Sequence, residues 1–116
     1  MKVLALIYGD ESAWEALPAE EREAVYARYR AFGQAADGNV VDGAELAPTG
    51  SATTVRVRGD ETIVTDGPAE QLQEPLAGFY VFDCESLDEA AKLAAQIPGA
   101  ETGAIELRTA HEEDAA

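Results

Sequence analysis

The chain has 116 residues, 47% apolar and 27% charged, a single-domain length with ordinary globular composition and room for one sizeable core. Eight Lys and Arg stand against 23 Asp and Glu, a formal net charge of −15. That argues against unaided binding to nucleic acid, whose affinity comes from cations set against phosphates, and against docking on an anionic membrane; it suits a self-repelling soluble protein or an adaptation to salt.

The first element is the apolar run Val3–Tyr8, six residues ended by Gly9-Asp10. A short apolar block closed by a turn reads as a strand buried on both faces. It lacks a signal-peptide cleavage pattern, and no stretch approaches the roughly 20 apolar residues of a membrane span. Cys84 is the only cysteine, so an intrachain disulfide is impossible and a reducing compartment is the simplest home. A cytoplasmic protein is expected.

Residues 10–17 read as a connection. Pro18 at a first helical position, Glu20 and Glu21 in the first turn, and Val25, Tyr29, Phe32 and Ala36 on one face predict a helix over about 18–36, stopped by Asp37-Gly38-Asn39. A second strand runs from Val40 toward Leu46 and breaks at Pro48-Thr49-Gly50. Thr53–Arg58 alternates, Val55 and Val57 to one side and Arg56 and Arg58 to the other; Gly59-Asp60 turns the chain and Thr62–Thr65 returns as the hairpin partner. Asp66-Gly67-Pro68 is a further turn, and 69–76 shows no period. Phe79–Cys84 is apolar on both faces and predicts a central strand. Ser86-Leu87-Asp88-Glu89 is a capping box for a second helix, with Leu87, Ala90, Ala94 and Ile97 on one face, closed by Pro98-Gly99. Gly103–Arg108 is the last strand, and 111–116 read as a disordered acidic tail after a single domain over 1–110.

The fold class expected is α+β: a ferredoxin-like βαββαβ with an inserted β-hairpin. Two helices cover one sheet face. The other is apolar too, so a homodimer with sheets packed face to face, an α/β-barrel-like assembly, is expected; the alternative is a monomer whose hairpin and loop 69–76 fold over that face.

The motifs together resemble the DGPF branch of the YCII-related family. They are Met1-Lys2 through Tyr8-Gly9-Asp10-Glu11, Gly43–Pro48, Ala52–Arg56, Thr65-Asp66-Gly67-Pro68, Gly78–Asp83 and Ile105–Arg108, and they span nearly the whole chain in order. The resemblance implies a dimeric ferredoxin-like fold and no established activity. It also implies a suggested link to sigma factors in transcription initiation, and a suspected chemistry based on a recurring histidine and aspartate. Two departures stand out. Ala69 replaces the signature phenylalanine, and the only histidine, His111, lies in the tail, so a His–Asp mechanism does not carry over.

The candidate site residues are Tyr8, Glu45, Arg56, Asp66 and Tyr80, with Asp66 and Glu45 as candidate catalytic groups. Asp66, at a strand end, is either a turn aspartate accepting local N–H bonds or a general base at the mouth of a cleft. Glu45 shares a strand face with Val41 and Gly43; facing inward it would be desolvated, the usual preparation for proton transfer. Tyr8 and Tyr80 sit on strands expected to be neighbours and could share a pocket. Arg56 either pairs with Asp66 or Glu45, binds an acidic substrate, or is solvated. Cys84 reads as a small buried hydrophobe, and Trp14 as a pocket roof or a loop anchor. His111 with Glu112, Glu113 and Asp114 makes a poor metal cage. With no P-loop, dinucleotide fingerprint, zinc spacing or nucleophile elbow, no cofactor or metal is expected. The functional expectation is a small-molecule cleft; the alternative is a non-catalytic module working with a sigma factor.

Overall fold

The computed structural model describes residues 1–111. The acidic stretch expected at the C-terminus lies, from Glu112 on, outside the described residues. Four strands form one antiparallel sheet: β1 (Lys2–Tyr8), β2 (Val40–Glu45), β5 (Leu76–Asp83) and β6 (Ala104–Thr109), in the order β2-β5-β1-β6. That is the strand order of the ferredoxin-like split motif. The chain is α+β, and the two strands expected at the centre, β1 and β5, are there, each paired on both sides. The helices are α1 (Glu11–Ala16), α2 (Ala19–Ala35) and α3 (Leu87–Ala94).

Two expectations are corrected. Residues 11–16 are a helix, not a connection: the Asp10 carboxylate accepts from the Ser12 and Ala13 amides at 2.9 and 3.2 Å, satisfying two amide donors of the first turn. The last helix ends at Ala94, and Pro98–Ala100 forms a separate 3₁₀ turn. The capping box at Ser86 is present, with Ser86 Oγ accepting from the Glu89 amide at 3.1 Å. The Glu89 carboxylate reaches past the cap to the Glu85 amide and also accepts from Asn39 Nδ2, at 3.0 and 2.9 Å.

Strand parity sets the core. Val3, Ala5 and Ile7 of β1 point toward the helices and are buried; Leu4, Leu6 and Tyr8 point the other way and are half-buried. On β5, Tyr80 and Phe82 share the helix face and Phe79 and Val81 share the open face. Phe82, Ile97 and Val3 are fully buried, and Phe32 of α2 closes over Phe82 and Tyr80 with ring centroids 6.3 and 5.2 Å away. Cys84 is buried, and that burial pushes its thiol upward. Only the C-terminal part of the expected α2 stripe, Phe32 and Ala36, is buried; Val25 and Tyr29 are half-exposed. The N-terminal half of α2 therefore leaves space above the sheet.

β3 (Thr53–Arg58) and β4 (Glu61–Asp66) form a separate two-stranded hairpin, not part of the main sheet. Gly59 has a φ of 61° at the first central position of its turn, the backbone a II′ hairpin turn demands. At the other end the Gly67 amide donates to the Ala52 carbonyl at 2.7 Å and the Thr54 hydroxyl to the Gly67 carbonyl at 2.8 Å. These bonds hold the Asp66-Gly67-Pro68 turn; among the described residues the Asp66 carboxylate accepts none. No helix among the described residues is long and apolar enough to cross a membrane.

Candidate functional site

The space under the N-terminal half of α2 is a cleft of about 620 Å³. Its floor is the helix face of β1, β5 and β2; its roof is α1 with α2; one end is closed by the Pro98–Gly99 turn. Six aromatic residues border it, and four of them, Trp14, Tyr26, Tyr29 and Tyr80, belong to the roof helices or to the helix face of the sheet.

Each is placed by a local cause. Trp14 is half-buried in α1 and meets Tyr26 edge-on, centroids 5.3 Å apart at 84°, a favoured aromatic geometry. Trp14 thus both anchors α1 and lines the cleft. Tyr29 stands one turn beyond Tyr26, and its hydroxyl accepts from the Gly99 amide at 3.1 Å. Tyr80 lies on the sheet floor, its ring directly over Gly43: a Cβ there would stand 2.8 Å from Tyr80 Cδ1 and 2.9 Å from the Phe79 carbonyl oxygen. Gly43 is thus required by close approach.

Glu45 does turn toward the helix face, on the parity of Gly43, although it stays exposed. Its Oε1 accepts from the Tyr26 hydroxyl at 2.9 Å, bridging sheet and helix across the mouth of the cleft. That bond, with burial second, raises the Tyr26 phenol above its ordinary value. Burial raises Tyr29 and Tyr80 as well. All three phenols are therefore neutral hydroxyls at neutral pH. The rim is acidic. Glu11 accepts from the Thr49 amide at 3.1 Å and from the Thr49 hydroxyl, pinning α1 to the segment after β2. Arg28 makes a two-bond pair with Glu101 at 3.0 and 2.5 Å, which holds Arg28 up and Glu101 down from their usual ranges.

Of the five expected site residues, Glu45 and Tyr80 meet in this cleft. Tyr8 borders it but has the opposite parity: its side chain is on the open face with Glu106, and burial, then Glu106, raises its phenol. The expectation that Tyr8 and Tyr80 turn their phenols into one pocket is therefore corrected by strand parity. Asp66 and Arg56 lie on the hairpin and do not line the cleft. The residues not foreseen as site groups are Tyr26, Tyr29 and Arg28 with Glu101. The signal for Tyr26 was faint: it stands three residues before Tyr29, the next position round the same helix face. Among the described residues no three His, Cys, Asp or Glu side chains are grouped to hold a metal ion.

A mixed sheet-and-helix layer with an aromatic cleft defines a class of small ferredoxin-like domains. Within it, the YCII-related domain model matches residues 1–113, and the chain belongs to that family. An uncharacterised protein of Rhizobium meliloti (strain 1021), R00369, is 41% identical over 114 residues, covering 93% of this chain and 90% of that protein. Among solved structures, the chain is similar to 5-chloro-2-hydroxyhydroquinone dehydrochlorinase (TftG) from Burkholderia phenoliruptrix AC1100, in complex with 2,5-dihydroxybenzoquinone. The TM-score is 0.60 at 15% identity, covering 97% of this chain and 96% of that one. At that identity the likeness speaks to the fold.

Proposed function

We infer that this protein binds a small, planar ring compound in the cleft between α1, α2 and the sheet. The observation that carries this is the wall of four aromatic side chains around an open volume of about 620 Å³, the size and lining of a small-ligand site. The Tyr26–Glu45 bridge supplies a hydroxyl and a carboxylate at its mouth. Five carboxylates border the cleft (Asp10, Glu11, Glu15, Glu45 and Glu101), and its one cation, Arg28, is already paired with Glu101. Anionic ligands are disfavoured by that balance; uncharged or cationic rings are not. The solved structure of similar fold holds a dihydroxybenzoquinone, a planar ring of the size this cleft would take.

Glu45 is the group placed to accept a hydrogen bond from a ring hydroxyl, with the Tyr26 hydroxyl beside it; Tyr80 and Tyr29 hold the ring plane. The reading includes a second copy over the open sheet face, where Leu4, Leu6, Phe79 and Val81 are only half-buried, and a reducing, cytoplasmic setting for the free Cys84. A role beside a sigma factor rests on the family resemblance alone.

Trp14 is the sole tryptophan and borders the cleft, so its emission reports occupancy. Titration with hydroquinone should give a saturable change, weakened several-fold in Tyr26→Phe and in Glu45→Gln, while 2,5-dihydroxybenzoate should bind more weakly. A response that fails to saturate, or a carboxylate that binds better than the uncharged ring, contradicts the reading.

A further inference from the structure

The β3–β4 hairpin is the part of the chain that single-subunit physics accounts for least. Its strands pair throughout, from Thr53 opposite Asp66 to Arg58 opposite Glu61. Among the described residues, neither strand packs on another strand or helix beyond a passing contact. A two-stranded ribbon standing alone in water is marginal at best. The pairing sets Val55, Val57 and Val64 on one face, and they are 60%, 59% and 60% exposed.

The whole chain shows the same deficit. Its accessible surface is 8009 Å², where a compact chain of 12.3 kDa exposes about 6,100 Å². Its radius of gyration is 16.4 Å, where a compact chain of this length has about 13 Å. The surplus of about 1,900 Å² is more than twice the roughly 800 Å² that each partner contributes to a stable interface. It is room enough for the open sheet face and the hairpin together.

We propose that the β3–β4 hairpin is an arm that clasps a second copy of this chain, its valine face laid against that copy. This rests on the pairing through the open sheet face set out above and extends it to a second contact. The surplus area and symmetry together single out a copy. One chain carries two unpartnered apolar surfaces, and a two-fold axis uses each of them twice, so a single association removes four patches from water. Asp66, which shares the valine parity through its pairing with Thr53, would then be carried onto the partner's surface.

Sedimentation equilibrium on the full chain, with a Val55→Ser, Val57→Ser, Val64→Ser triple variant beside it, tests this. The wild type should be a dimer and the variant should dissociate at least ten-fold more readily. Hydrogen exchange on the wild type is an independent readout if the variant folds poorly. Hairpin amides should be protected in the dimer and exchange fast on dilution into monomer, while β1 and β5 amides stay protected. A dimeric variant with wild-type affinity, or hairpin amides that exchange fast in a dimer, overturns the arm and leaves the sheet-face pairing standing. A monomeric wild type overturns both, and leaves the cleft reading to the Trp14 titration.

Discussion

Gly43 is a glycine because the ring of Tyr80 lies on it. Adding one methyl would push Cβ to 2.8 Å from that ring and 2.9 Å from the Phe79 carbonyl oxygen. Overpacking of this kind costs about 1–3 kcal/mol. Gly43→Ala should therefore lower thermal stability and, because the ring it displaces is the cleft floor, weaken hydroquinone binding several-fold in the Trp14 titration. The buried phenols set a pH dependence. Tyr29 and Tyr80 have folded values raised above the ordinary one, by burial first, whereas in the unfolded chain they ionise near about 10. Their contribution to stability is complete below the unfolded value and is lost as pH rises through the folded one. Urea unfolding should show stability falling above about pH 10, with phenolate absorbance lagging in the folded protein. A fall already complete well below that would contradict the assignment. Glu45 was readable as an inward group from its alternation with Gly43, but the same alternation misplaced Val41: a register shift between Val40 and Asp42 sets Val40 opposite Phe82 and leaves Val41 exposed. Tyr8 was not readable: β1 is apolar at both parities, so the pattern carries no information on which side faces the helices. Tertiary packing alone decides that Val3, Ala5 and Ile7 go inward.

The elements follow their local signals where those signals are strong. Helix α2, the alternating hairpin with its Gly59-Asp60 turn and the Ser86 box all lie where the residue pattern puts them. At Ser86, replacing the hydroxyl that accepts from the Glu89 amide should cost about 1 kcal/mol. Ser86→Ala should thus lower the melting temperature by about 4 °C, while Ser86→Asp, which keeps an acceptor, should restore most of it. Helix α1 escaped the pattern because six residues are too few to show a period. It exists because Asp10 caps it and Trp14 packs on Tyr26, one contact local and one distant in sequence. The cleft depends on the same distant contact, which is why it could not be drawn from α2 alone. The hairpin shows the opposite limit. Its two strands and turn were legible, but nothing in its own sequence says where the ribbon goes, so Asp66 and Arg56 could not be placed relative to Glu45.

The whole molecule is thin, 49 × 48 × 18 Å, a single sheet with helices on one side and an arm beside it. Its net charge of −15 opposes any pairing of copies, so an apolar interface has to outweigh that repulsion. Raising salt from about 0.01 M to about 1 M shortens the screening length from about 30 to about 3 Å. Dimerisation should tighten several-fold across that range by sedimentation. Weakening instead would mean that ion pairs between copies dominate. In the proposed dimer the cleft lies on the helix side of each chain, away from the open sheet face, so ligand binding and association are expected to be separable. Amide chemical-shift mapping with hydroquinone tests the ligand site most directly. The expected result is shifts clustered at Trp14, Tyr26, Gly43, Glu45 and Gly99, with β6 and the hairpin unmoved. Shifts absent from those residues, or gathered on the open sheet face, would contradict it.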